Sequence, residues 1–479
     1  MPPSSVVSRA VHLGLVLLVA ACSPERHIAP TEEPLPPAVR AASSTASAGA
    51  IRTLDDEYAD LVDEIPGFGG LYYDADGTPV IYLKSPATLG SARTRVAAHL
   101  ERGAGGNASR ITQIAGEVSR LRVRSARYDF RELRGWYNGQ LVSAAFAMPG
   151  VVMTDIDERR NQIVIGVRDG PSIPAVRSSL SRLGVPTDAF VVVEYAVVSQ
   201  EAPSIQSGDC DPITAIIPCA EEPPTAGFMR SVRDKSRPVI GGLQIQYNDS
   251  PYNWNCTLGY NIAHRPPDGT INPERFFMTA SHCGDAMGVM TAMEMSQSTV
   301  GEVIGAEVAD PSFFTNSVDP LCPGGRLCRY SDAALFSFGA DIGVDHGRTA
   351  FPSVGSLTFS QIRMITGAGD PAVGMTVHKI GRTTGRTTGT VQQTCMILTV
   401  FDRFGSDTGF RQLCQSVASY ASAGGDSGAP VVQVWPDGTL VARGIHWRGS
   451  GGFSPINGAL RELRSVTGGG LGPTIGDLQ

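Results

Sequence analysis

The chain has 479 residues, 42% of them hydrophobic, and a formal net charge of −7 at pH 7. This composition is typical of a globular protein, and the length allows two or three domains. Because the chain contains no long run of basic residues, nucleic-acid binding has no electrostatic support. We find no metal-ligand spacing and no cofactor motif, so we expect neither group.

Residues 1–21 have the pattern of a secretory signal peptide. Arg9 precedes an apolar run, Leu13–Val19, that is too short to span a bilayer as a mature helix. The following Val-Ala-Ala-Cys resembles a bacterial lipobox, which implies lipidation of Cys22; an ordinary signal-peptidase site is the alternative. We expect an exported protein that contacts the membrane only through this lipid. Residues 22–50, rich in Pro, Ala, Ser and Glu, predict a disordered tether.

Residues 51–200 predict an α+β domain without cysteines. An Asp-Gly turn between two apolar runs indicates a hairpin over 69–83. Further patterns predict a second hairpin over 151–167, helices over 92–101, 115–122 and 172–183, and a strand over 189–198. Residues 201–238 predict a linker with Pro-rich stretches, in which Cys210 and Cys219 close a small loop.

A possible nucleophile turn lies at 422–430, which reads Ser-Ala-Gly-Gly-Asp-Ser-Gly-Ala-Pro. Small neighbours leave room for a substrate carbonyl to approach Ser427, and Gly425 tolerates backbone angles that a side chain would forbid. The N–H groups of Gly425 and Ser427 could then form an oxyanion hole, worth roughly 3–4 kcal/mol in acyl transfer. An ordinary glycine-rich turn is the alternative.

Two upstream motifs supply the groups that a serine nucleophile needs, a base and an orienting carboxylate. An apolar run leads into Thr-Ala-Ser-His-Cys, which ends with His282 and Cys283. Asp332 precedes the apolar run Ala333–Phe336. Without a catalytic role, His282 would be an ordinary core histidine and Asp332 an ordinary turn aspartate. All three motifs, however, occur in one order: His282, Asp332, Ser427.

This order and spacing resemble the chymotrypsin-like serine proteases, specifically the bacterial secreted branch of the streptogrisin and α-lytic type. The resemblance covers residues 239–479 and includes Lys379–Gly385 and Val239–Gly242. It implies that His282 is the general base, Asp332 its orienter and Ser427 the nucleophile, with Gly425 and Ser427 as the oxyanion hole. It also implies an all-β protease domain of two packed six-stranded antiparallel barrels, preceded by an α+β pro-region at 51–200. An unrelated accessory domain is the alternative for residues 51–200.

Proximity and the same resemblance suggest how the cysteines pair. Apart from Cys22, eight of the nine cysteines remain, and they fall into four neighbouring couples. Disulfides imply an oxidising compartment. The expected pairs are Cys210–Cys219, Cys256–Cys283, Cys322–Cys328 and Cys395–Cys414.

Other triad folds fit the sequence less well. An α/β-hydrolase elbow needs glycine where the chain has Ala429, and the only histidine after the nucleophile is His446. A subtilisin arrangement needs its aspartate before its histidine. A catalytically inactive homologue acting as a binding module is a further alternative, although all three triad positions are filled.

The pocket residues favour an acidic side chain on the acyl side of the cut. Ala421 stands where trypsin-like enzymes carry a carboxylate, and residues 444–447 resemble glutamyl endopeptidases, in which the matching histidine contacts the substrate carboxylate. A pocket for apolar side chains is the alternative, and Arg448 departs from the glycine common there. The predicted substrate-binding residues are Ser422, His446, Trp447 and Gly449.

The sequence therefore predicts a lipid-anchored serine endopeptidase made as a zymogen, with polypeptides as substrates and its own pro-region as a partner. We expect the pro-region to assist folding, because strand-rich barrels depend on slow non-local pairings. Cleavage between Pro203 and Val239 would free the enzyme from its anchor. Asp426 is expected to pair with an arginine, Arg382 or Arg386 by position.

Overall fold

The computed structural model describes residues 51–102, 108–199, 204–205, 230–249, 252–265, 272–284, 286–297, 301–402, 405–467 and 470–473. All of them belong to one compact unit, Ala42–Gln479. The predicted signal peptide, the tether, Cys22 and the Cys210–Cys219 loop lie outside the described residues. None of the helices in the described ranges is long and apolar enough to cross a membrane.

The N-terminal region, residues 51–199, mixes helices and short strands. Its first helix begins with a capping box, in which Thr53 and Asp56 satisfy each other's backbone N–H groups. The helices are α1 Leu54–Glu64, α2 Leu89–Arg102, α3 Ala108–Ser119, α4 Phe130–Trp136, α5 Val142–Phe146 and α6 Ile173–Leu180, with a π-helical turn at Tyr137–Leu141 and 3₁₀ turns at Pro86–Thr88, Gly170–Ser172 and Ser181–Leu183. The strands are β1 Phe68–Tyr73, β2 Pro79–Leu83, β3 Arg122–Ser125, β4 Val151–Asp157, β5 Gln162–Val167 and β6 Phe190–Glu194.

Both predicted hairpins form, β1 with β2 and β4 with β5, each antiparallel. The predicted helices over 92–101 and 172–183 correspond to α2 and α6, and the strand over 189–198 corresponds to β6. The helix expected over 115–122 is displaced: α3 ends at Ser119, and Arg122 begins β3. Leu121 is buried, so the chain turns there to pair with β2 rather than extend the helix.

The C-terminal region is mostly β, with one long helix, α7 Ile456–Thr467, and a 3₁₀ turn at Ser281–Cys283. The strands that precede Asp332 in the chain are β7 Ser204–Ile205, β8 Arg230–Ser231, β9 Val239–Gly241, β10 Gln244–Asp249, β11 Tyr252–Thr257, β12 Tyr260–Arg265, β13 Asn272–Thr279, β14 Glu294–Ser296, β15 Val303–Ala309 and β16 Leu327–Arg329. The later strands are β17 Ala334–Phe338, β18 Val344–Ala350, β19 Thr358–Phe359, β20 Ile362–Ala368, β21 Thr376–Gly381, β22 Gly385–Phe401, β23 Asp407–Ala418, β24 Pro430–Val434, β25 Leu440–Arg448, β26 Gly452–Pro455 and β27 Gly470–Pro473.

These strands form two large sheets. The first has nine strands in the order β27-β12-β13-β17-β15-β14-β10-β11-β7. The second has thirteen strands, with the path β16-β23-β26-β25-β24-β21-β22-β4-β5-β6 at its centre. The mostly-β architecture with a helix-containing N-terminal region agrees with the prediction. The division into two barrels of six strands each stays a prediction.

The second sheet joins the N-terminal region to the C-terminal region. β4 pairs antiparallel with β22, with Thr154 opposite Ile397 and Met153 opposite Leu398. β5 and β6 then continue the sheet outward, β6 in parallel. Because an open sheet edge offers unpaired N–H and C=O groups, the N-terminal region completes an edge that would otherwise be free.

Residues 230–238, within the range predicted as linker, pack against the C-terminal region. β8 pairs with β19, and the fully buried Val232 exchanges main-chain hydrogen bonds with Leu357 and Gln244. Val239 is also fully buried, and its N–H donates to the carbonyl of Gly343 at 2.8 Å. The domain boundary near Val239 remains a prediction. The chain already pairs with strands of the C-terminal region from Arg230 onward.

Three of the predicted disulfides are present, and they confirm those pairings. Cys256 bonds to Cys283, Cys322 to Cys328 and Cys395 to Cys414. The first bond ties β11 to the turn that carries His282, so it bears directly on the site described below.

Candidate active site

His282, Asp332 and Ser427, predicted from three separate motifs, lie in one hydrogen-bonded row. The imidazole Nδ1 of His282 lies 2.7 Å from Oδ2 of Asp332, and its Nε2 lies 2.8 Å from Oγ of Ser427. The main-chain N–H of His282 also donates to Oδ1 of Asp332 at 3.0 Å. Two donors from one residue thus fix the carboxylate, which in turn fixes the imidazole tautomer with its proton on Nδ1.

Local structure explains how the imidazole reaches this position. The apolar strand β13 ends at Thr279, and a 3₁₀ turn then presents His282. The flanking residues Ser281 and Cys283 are fully buried, and the Cys256–Cys283 disulfide holds the turn against β11. The His282 side chain keeps 8% of its surface exposed, so a substrate can reach it.

Asp332 is fully buried before β17, where a carboxylate needs partners to remain charged. Burial by itself raises the pKa of Asp332, but the facing His282, its hydrogen bonds and the nearby Arg329 charge outweigh it, so that this pKa is lowered. The main-chain N–H of Asp332 donates to the Ser454 hydroxyl at 3.0 Å. The orienting carboxylate is therefore held ionised at neutral pH.

Arg329 stabilises the segment that carries Asp332. Its guanidinium is fully buried and donates to Oδ1 of Asp310 at 2.8 Å and to the carbonyl of Ala333 at 3.0 Å. Glu462 on α7 accepts from the Tyr330 N–H at 2.8 Å and from the Ser331 hydroxyl at 2.6 Å. Helix α7 thus fixes the loop on which Asp332 lies.

The nucleophile turn is pinned between β11 and β25. Thr257 donates its hydroxyl to the carbonyl of Gly425 at 2.9 Å and its N–H to the carbonyl of Ser427 at 2.8 Å. On the other side, the N–H of Gly428 donates to the carbonyl of His446 at 2.8 Å. Gly425 and Gly428 have φ of 93° and 85°, which favours glycine at both positions.

Crowding adds a second requirement for glycine at 428. A Cβ there would meet the Thr279 hydroxyl at 2.1 Å and the Thr257 carbonyl at 2.3 Å. Because real Cβ atoms do not approach so closely, any side chain at this position would push the turn away from β11. The Gly-Asp-Ser-Gly motif therefore reflects close packing as well as backbone angles.

Asp426, beside the nucleophile, pairs with Lys379 and not with the expected Arg382 or Arg386. Lys379 Nζ lies 2.6 Å from Oδ2 of Asp426, and both side chains are fully buried. Arg382 instead donates to the Gln244 side chain at 2.8 Å, and Arg386 lies over the Phe351 ring. The main-chain N–H of Arg382 donates to the Thr257 hydroxyl at 3.0 Å, which fixes the start of the next turn.

Hydrogen bonds complete the setting of Asp426. Oδ1 accepts from the N–H groups of Thr383 at 2.9 Å and Thr384 at 3.2 Å, and Oδ2 accepts from the Thr384 hydroxyl at 2.6 Å and the Ala423 N–H at 3.1 Å. Burial raises the pKa of Asp426, but the Lys379 charge and these donors bring it below its usual value. The loop carrying Ser427 is thus anchored by a charged, fully bonded carboxylate.

The predicted pocket residues differ in how they face the site. His446 is fully buried, and its Nδ1 lies 3.1 Å from the Tyr420 hydroxyl. The Ser422 hydroxyl is buried and has no hydrogen-bond partner among the described residues. The prediction that Trp447 binds substrate is wrong for its side chain. The indole N–H donates to Gln415 at 2.8 Å inside the core, so the ring does not line a pocket. Gly449 follows the last residue of β25, in a turn, and is partly exposed.

Sequence reasoning missed several residues that position the site. They act through the nucleophile turn, the triad loop or His446, and they are Thr257, Lys379, Thr384, Tyr420, Arg329 and Glu462. Only Lys379 gave a readable signal, since a lysine between apolar strand residues indicates a buried partner.

Comparison with known proteins gives similarity in structure only. No protein-family model matches the chain, and no curated protein matches it. Among solved structures, the chain is similar to a glutamic-acid-specific serine protease with a histidine triad in substrate binding (23% identity, TM-score 0.33, covering 48% of this chain and 98% of that one). It is also similar to Thermobifida fusca protease A (20%, 0.32, 49% and 97%) and to an α-lytic protease homologue (19%, 0.31, 46% and 93%).

These proteases belong to the group that the motifs resemble. At such TM-scores the likeness assigns no chemistry to this chain, and the catalytic interpretation rests on the atoms of the row Asp332, His282 and Ser427.

Proposed function

We propose that the protein is a serine endopeptidase, made as a zymogen, that hydrolyses peptide bonds through an acyl-enzyme. One observation carries this proposal: the continuous row of hydrogen bonds from Asp332 through His282 to Ser427, at 2.7 and 2.8 Å. Both distances lie within the range that proton transfer requires. The expected two six-stranded barrels, with the triad between them, are part of this proposal.

Each triad residue has one role in the reaction. Ser427 Oγ attacks the carbonyl carbon of the scissile bond while His282 Nε2 takes the hydroxyl proton. His282 then gives this proton to the leaving nitrogen, and water hydrolyses the resulting ester by the same route in reverse. Asp332 stays ionised and stabilises the imidazolium, in keeping with the lowered pKa of its carboxyl group.

The oxyanion hole is formed by the main-chain N–H groups of Gly425 and Ser427. Thr257 and Asp426 hold both ends of the turn from which these groups project. Preorganised donors of this kind need no rearrangement when negative charge develops on the substrate oxygen. We expect them to contribute about 3–4 kcal/mol to transition-state stabilisation.

We propose an acidic side chain on the acyl side of the cut. His446 lies beside the nucleophile turn, because its carbonyl accepts a hydrogen bond from the Gly428 N–H. The buried Ser422 hydroxyl has no hydrogen-bond partner among the described residues. A carboxylate entering between them would gain donors that replace its lost hydration. Tyr420 orients the His446 ring through the contact of its hydroxyl with Nδ1 at 3.1 Å.

Active-site labelling tests the triad. A fluorophosphonate probe should label the wild-type protein and fail to label Ser427→Ala, while the control Ser406→Ala, in a distant surface turn, should label normally. Ser427→Ala should also lose peptidase activity by roughly 10⁶-fold. Pure, folded wild-type protein that takes up no probe would favour a binding module over an enzyme.

Substrate profiling tests the pocket separately. His446→Ala should reduce kcat/KM for a Glu substrate by roughly 10- to 150-fold, since a charged hydrogen bond contributes about 1.5–3 kcal/mol. It should spare Leu and Phe substrates. Cleavage after Phe, Leu or Arg as good as after Glu in the wild-type enzyme would replace the acidic preference with an apolar one.

The N-terminal region, residues 51–199, is proposed to assist folding. β4 supplies hydrogen-bond partners to β22, and the buried side chains Met153 and Val164 pack with Met396 and Leu398. Residues 204–479 expressed alone should be inactive or aggregated and should recover activity when residues 51–199 are added in trans. Full activity of the isolated C-terminal region would contradict this.

The anchoring proposal concerns Cys22, outside the described residues. Diacylation there would hold the precursor at the cell envelope, and cleavage after the N-terminal region would release an unacylated enzyme. Labelling with a fatty-acid analogue should mark the wild-type precursor but neither its Cys22→Ser variant nor the mature enzyme. An acylated full-length chain as the only active species would contradict release.

A further inference from the structure

An open cavity of about 340 Å³ lies between the segment 351–363 and the start of β22, and no triad residue lines it. Its volume falls within the range of small-molecule sites, about 300–1,000 Å³. Such sites are usually lined by apolar side chains, but the exposed lining of this cavity is mostly polar. The cavity therefore suits a polar ligand better than an apolar one.

Two arginines converge on the cavity around Phe351. The guanidinium carbon of Arg363 lies 3.9 Å from the centre of the Phe351 ring, and that of Arg386 lies 4.2 Å from it. The ring itself is buried. Because each guanidinium lies over the same buried ring, cation–π attraction holds both in place and brings two positive charges close together.

No acidic side chain balances these charges. Residues 351–369 and 371–401 contain neither Asp nor Glu, and neither arginine forms a salt bridge with a described residue. Burial and the two arginine charges lower the pKa of the neighbouring His378 to about 4, so that this histidine is neutral at pH 7. The pair Arg363 and Arg386 is thus a positive site without a counter-charge in the described part of the chain.

Most of the donors of these arginines are unused. Arg386 donates no side-chain hydrogen bond to a described residue, and its Nε is buried without a partner. Arg363 donates only to the Gln361 side chain, at 3.3 Å. Ser353 and Ser360, also on the cavity wall, make no side-chain hydrogen bond to a described residue. Because a buried donor without an acceptor is costly, the site is arranged for an acceptor from outside the chain.

We propose that this cavity binds a phosphate group. A tetrahedral oxyanion with two charges accepts hydrogen bonds from both guanidinium groups, whose planar fork matches the spacing of phosphate oxygens. The hydroxyls of Ser353 and Ser360 add further donors. A carboxylate, with two oxygens and one charge, would leave part of this set unused. The proposal does not depend on the peptidase function, because the lining includes no residue of the triad, the oxyanion hole or the predicted substrate pocket.

Two exposed apolar side chains bear on the source of the phosphate group. Val354 is 61% exposed and Ile362 is 40% exposed, and both belong to the segment that lines the cavity. Val354 also forms a β-bridge with Arg386. Basic side chains beside exposed apolar ones suit a lipid headgroup at a membrane surface, while free phosphate presents the same chemistry to the arginines.

Calorimetric titration of the full-length chain tests the site, with Cys22→Ser and Ser427→Ala present throughout to remove the lipidation site and the nucleophile. At constant ionic strength, inorganic phosphate should bind saturably and sulfate should compete with it, whereas chloride should not. Arg363→Gln and Arg386→Gln should each weaken phosphate binding by roughly 10-fold or more, because a hydrogen bond to a charged group is lost.

Two further variants serve as controls for charge and folding. Arg348→Gln removes an exposed arginine that is paired with Asp345 at 3.3 Å, and it should leave phosphate binding unchanged. Arg386→Lys keeps the positive charge but lacks the planar fork, so it should weaken binding by a smaller factor than Arg386→Gln. It also keeps the test open if Arg386→Gln does not fold.

Vesicles distinguish the two sources of the phosphate group. Binding to phosphatidylglycerol vesicles that is lost in Val354→Ser and Ile362→Ser, while inorganic phosphate still binds, would assign the site to a lipid headgroup. Binding of inorganic phosphate without binding of vesicles would assign it to a soluble phosphate. Absence of saturable phosphate binding, or equal affinities in Arg363→Gln and Arg348→Gln, would overturn the proposal.

Discussion

Buried carboxylates have basic partners in one region of the molecule and lack them in another. Beside the nucleophile, Asp332 and Asp426 are fully buried, and each faces a basic side chain and several N–H or hydroxyl donors. Where the N-terminal region packs on the C-terminal region, Asp155 and Glu158 are equally buried, yet neither forms a salt bridge with a described residue. Each keeps one oxygen without a hydrogen-bond partner in the described part of the chain.

The pKa values follow these surroundings. The basic partners outweigh burial and lower the pKa of Asp332 and of Asp426. Burial, reinforced by neighbouring carboxylates, raises the pKa of Asp155 and Glu158 well above the usual range. The loops that carry Asp332 and Asp426 therefore favour the charged form of these acids, and the contact between the two regions favours the neutral form.

The largest expected effect comes from breaking the charged side of this comparison. Asp332→Asn keeps the shape of the triad but removes the charge that stabilises the imidazolium and favours the wrong tautomer. We expect kcat to fall by roughly 10⁴-fold, measured on a Glu ester at pH 8. Asp341→Asn, in an exposed loop, is the control, and a loss smaller than 10-fold for Asp332→Asn would contradict the role of the carboxylate.

Removing Lys379 tests the second buried pair. Lys379→Met leaves Asp426 buried without its cation, which typically costs about 3–5 kcal/mol in the free energy of unfolding. The exposed pair Lys235–Glu302, at 2.8 Å, provides the control, because such surface pairs contribute about 0–1 kcal/mol. Urea denaturation of both variants measures the difference; similar losses in Lys379→Met and Lys235→Met would show that burial is irrelevant.

The buried carboxylates that lack a basic partner predict that the full-length protein loses stability as pH rises. Burial, with Asp56 adding to it and Arg134 opposing it, raises the pKa of Asp55 from 3.8 to about 8. Between these two values the unfolded chain has released a proton that the folded chain keeps. The free energy of unfolding should therefore fall by about 1.4 kcal/mol per pH unit for this group alone, or about 2.7 kcal/mol from pH 5 to pH 7.

Asp155 and Glu158 add to this slope over the same window. Asp370, whose pKa is raised to about 6 chiefly by burial and the nearby Glu57 charge, adds to it only up to about pH 6. The paired acids act in the other direction: Asp332 and Asp426 contribute stability above their usual pKa and lose it only in strong acid. Urea midpoints of the Ser427→Ala precursor from pH 5 to pH 8 measure the sum, and a midpoint that rises with pH would refute it.

The smallest expected effect comes from neutralising a single carboxylate, Glu158, where the N-terminal region packs on the C-terminal region. Glu158 accepts a hydrogen bond from the Thr394 hydroxyl at 2.7 Å, which a glutamine oxygen can also accept. Glu158→Gln should stabilise the Ser427→Ala precursor by about 1–2 kcal/mol at pH 8 and hardly at pH 5. Glu194→Gln, at the exposed end of β6, should change nothing at either pH; a destabilised Glu158→Gln precursor would mean that the charge is favourable there.

Local patterns predicted the parts of the molecule that depend on neighbours in sequence. The hairpins β1–β2 and β4–β5 and three disulfides came from turn residues, alternation and proximity, and the motifs around His282, Asp332 and Ser427 named residues that the structure brings together. Helix α1 was missed although its capping box, Thr53 to Asp56, is visible in the sequence.

Long-range pairings could not be read in this way. Thr154 pairs with Ile397, and nothing near either residue indicates the other. Lys379 was missed as the partner of Asp426 because position relative to the family pattern favoured two arginines, whereas the actual choice depends on which side chain the Thr257-bound turn directs inward.

The pairing of β4 with β22 has a consequence for the C-terminal region if the proposed cleavage removes the N-terminal region. Ile397 and Leu398 would then lie on an open sheet edge, with main-chain groups unpaired and buried side chains newly exposed to water. Such an edge is a template for joining another sheet. A C-terminal region without its N-terminal region is therefore expected to self-associate through β22 at high concentration, which would make the N-terminal region a protection against aggregation.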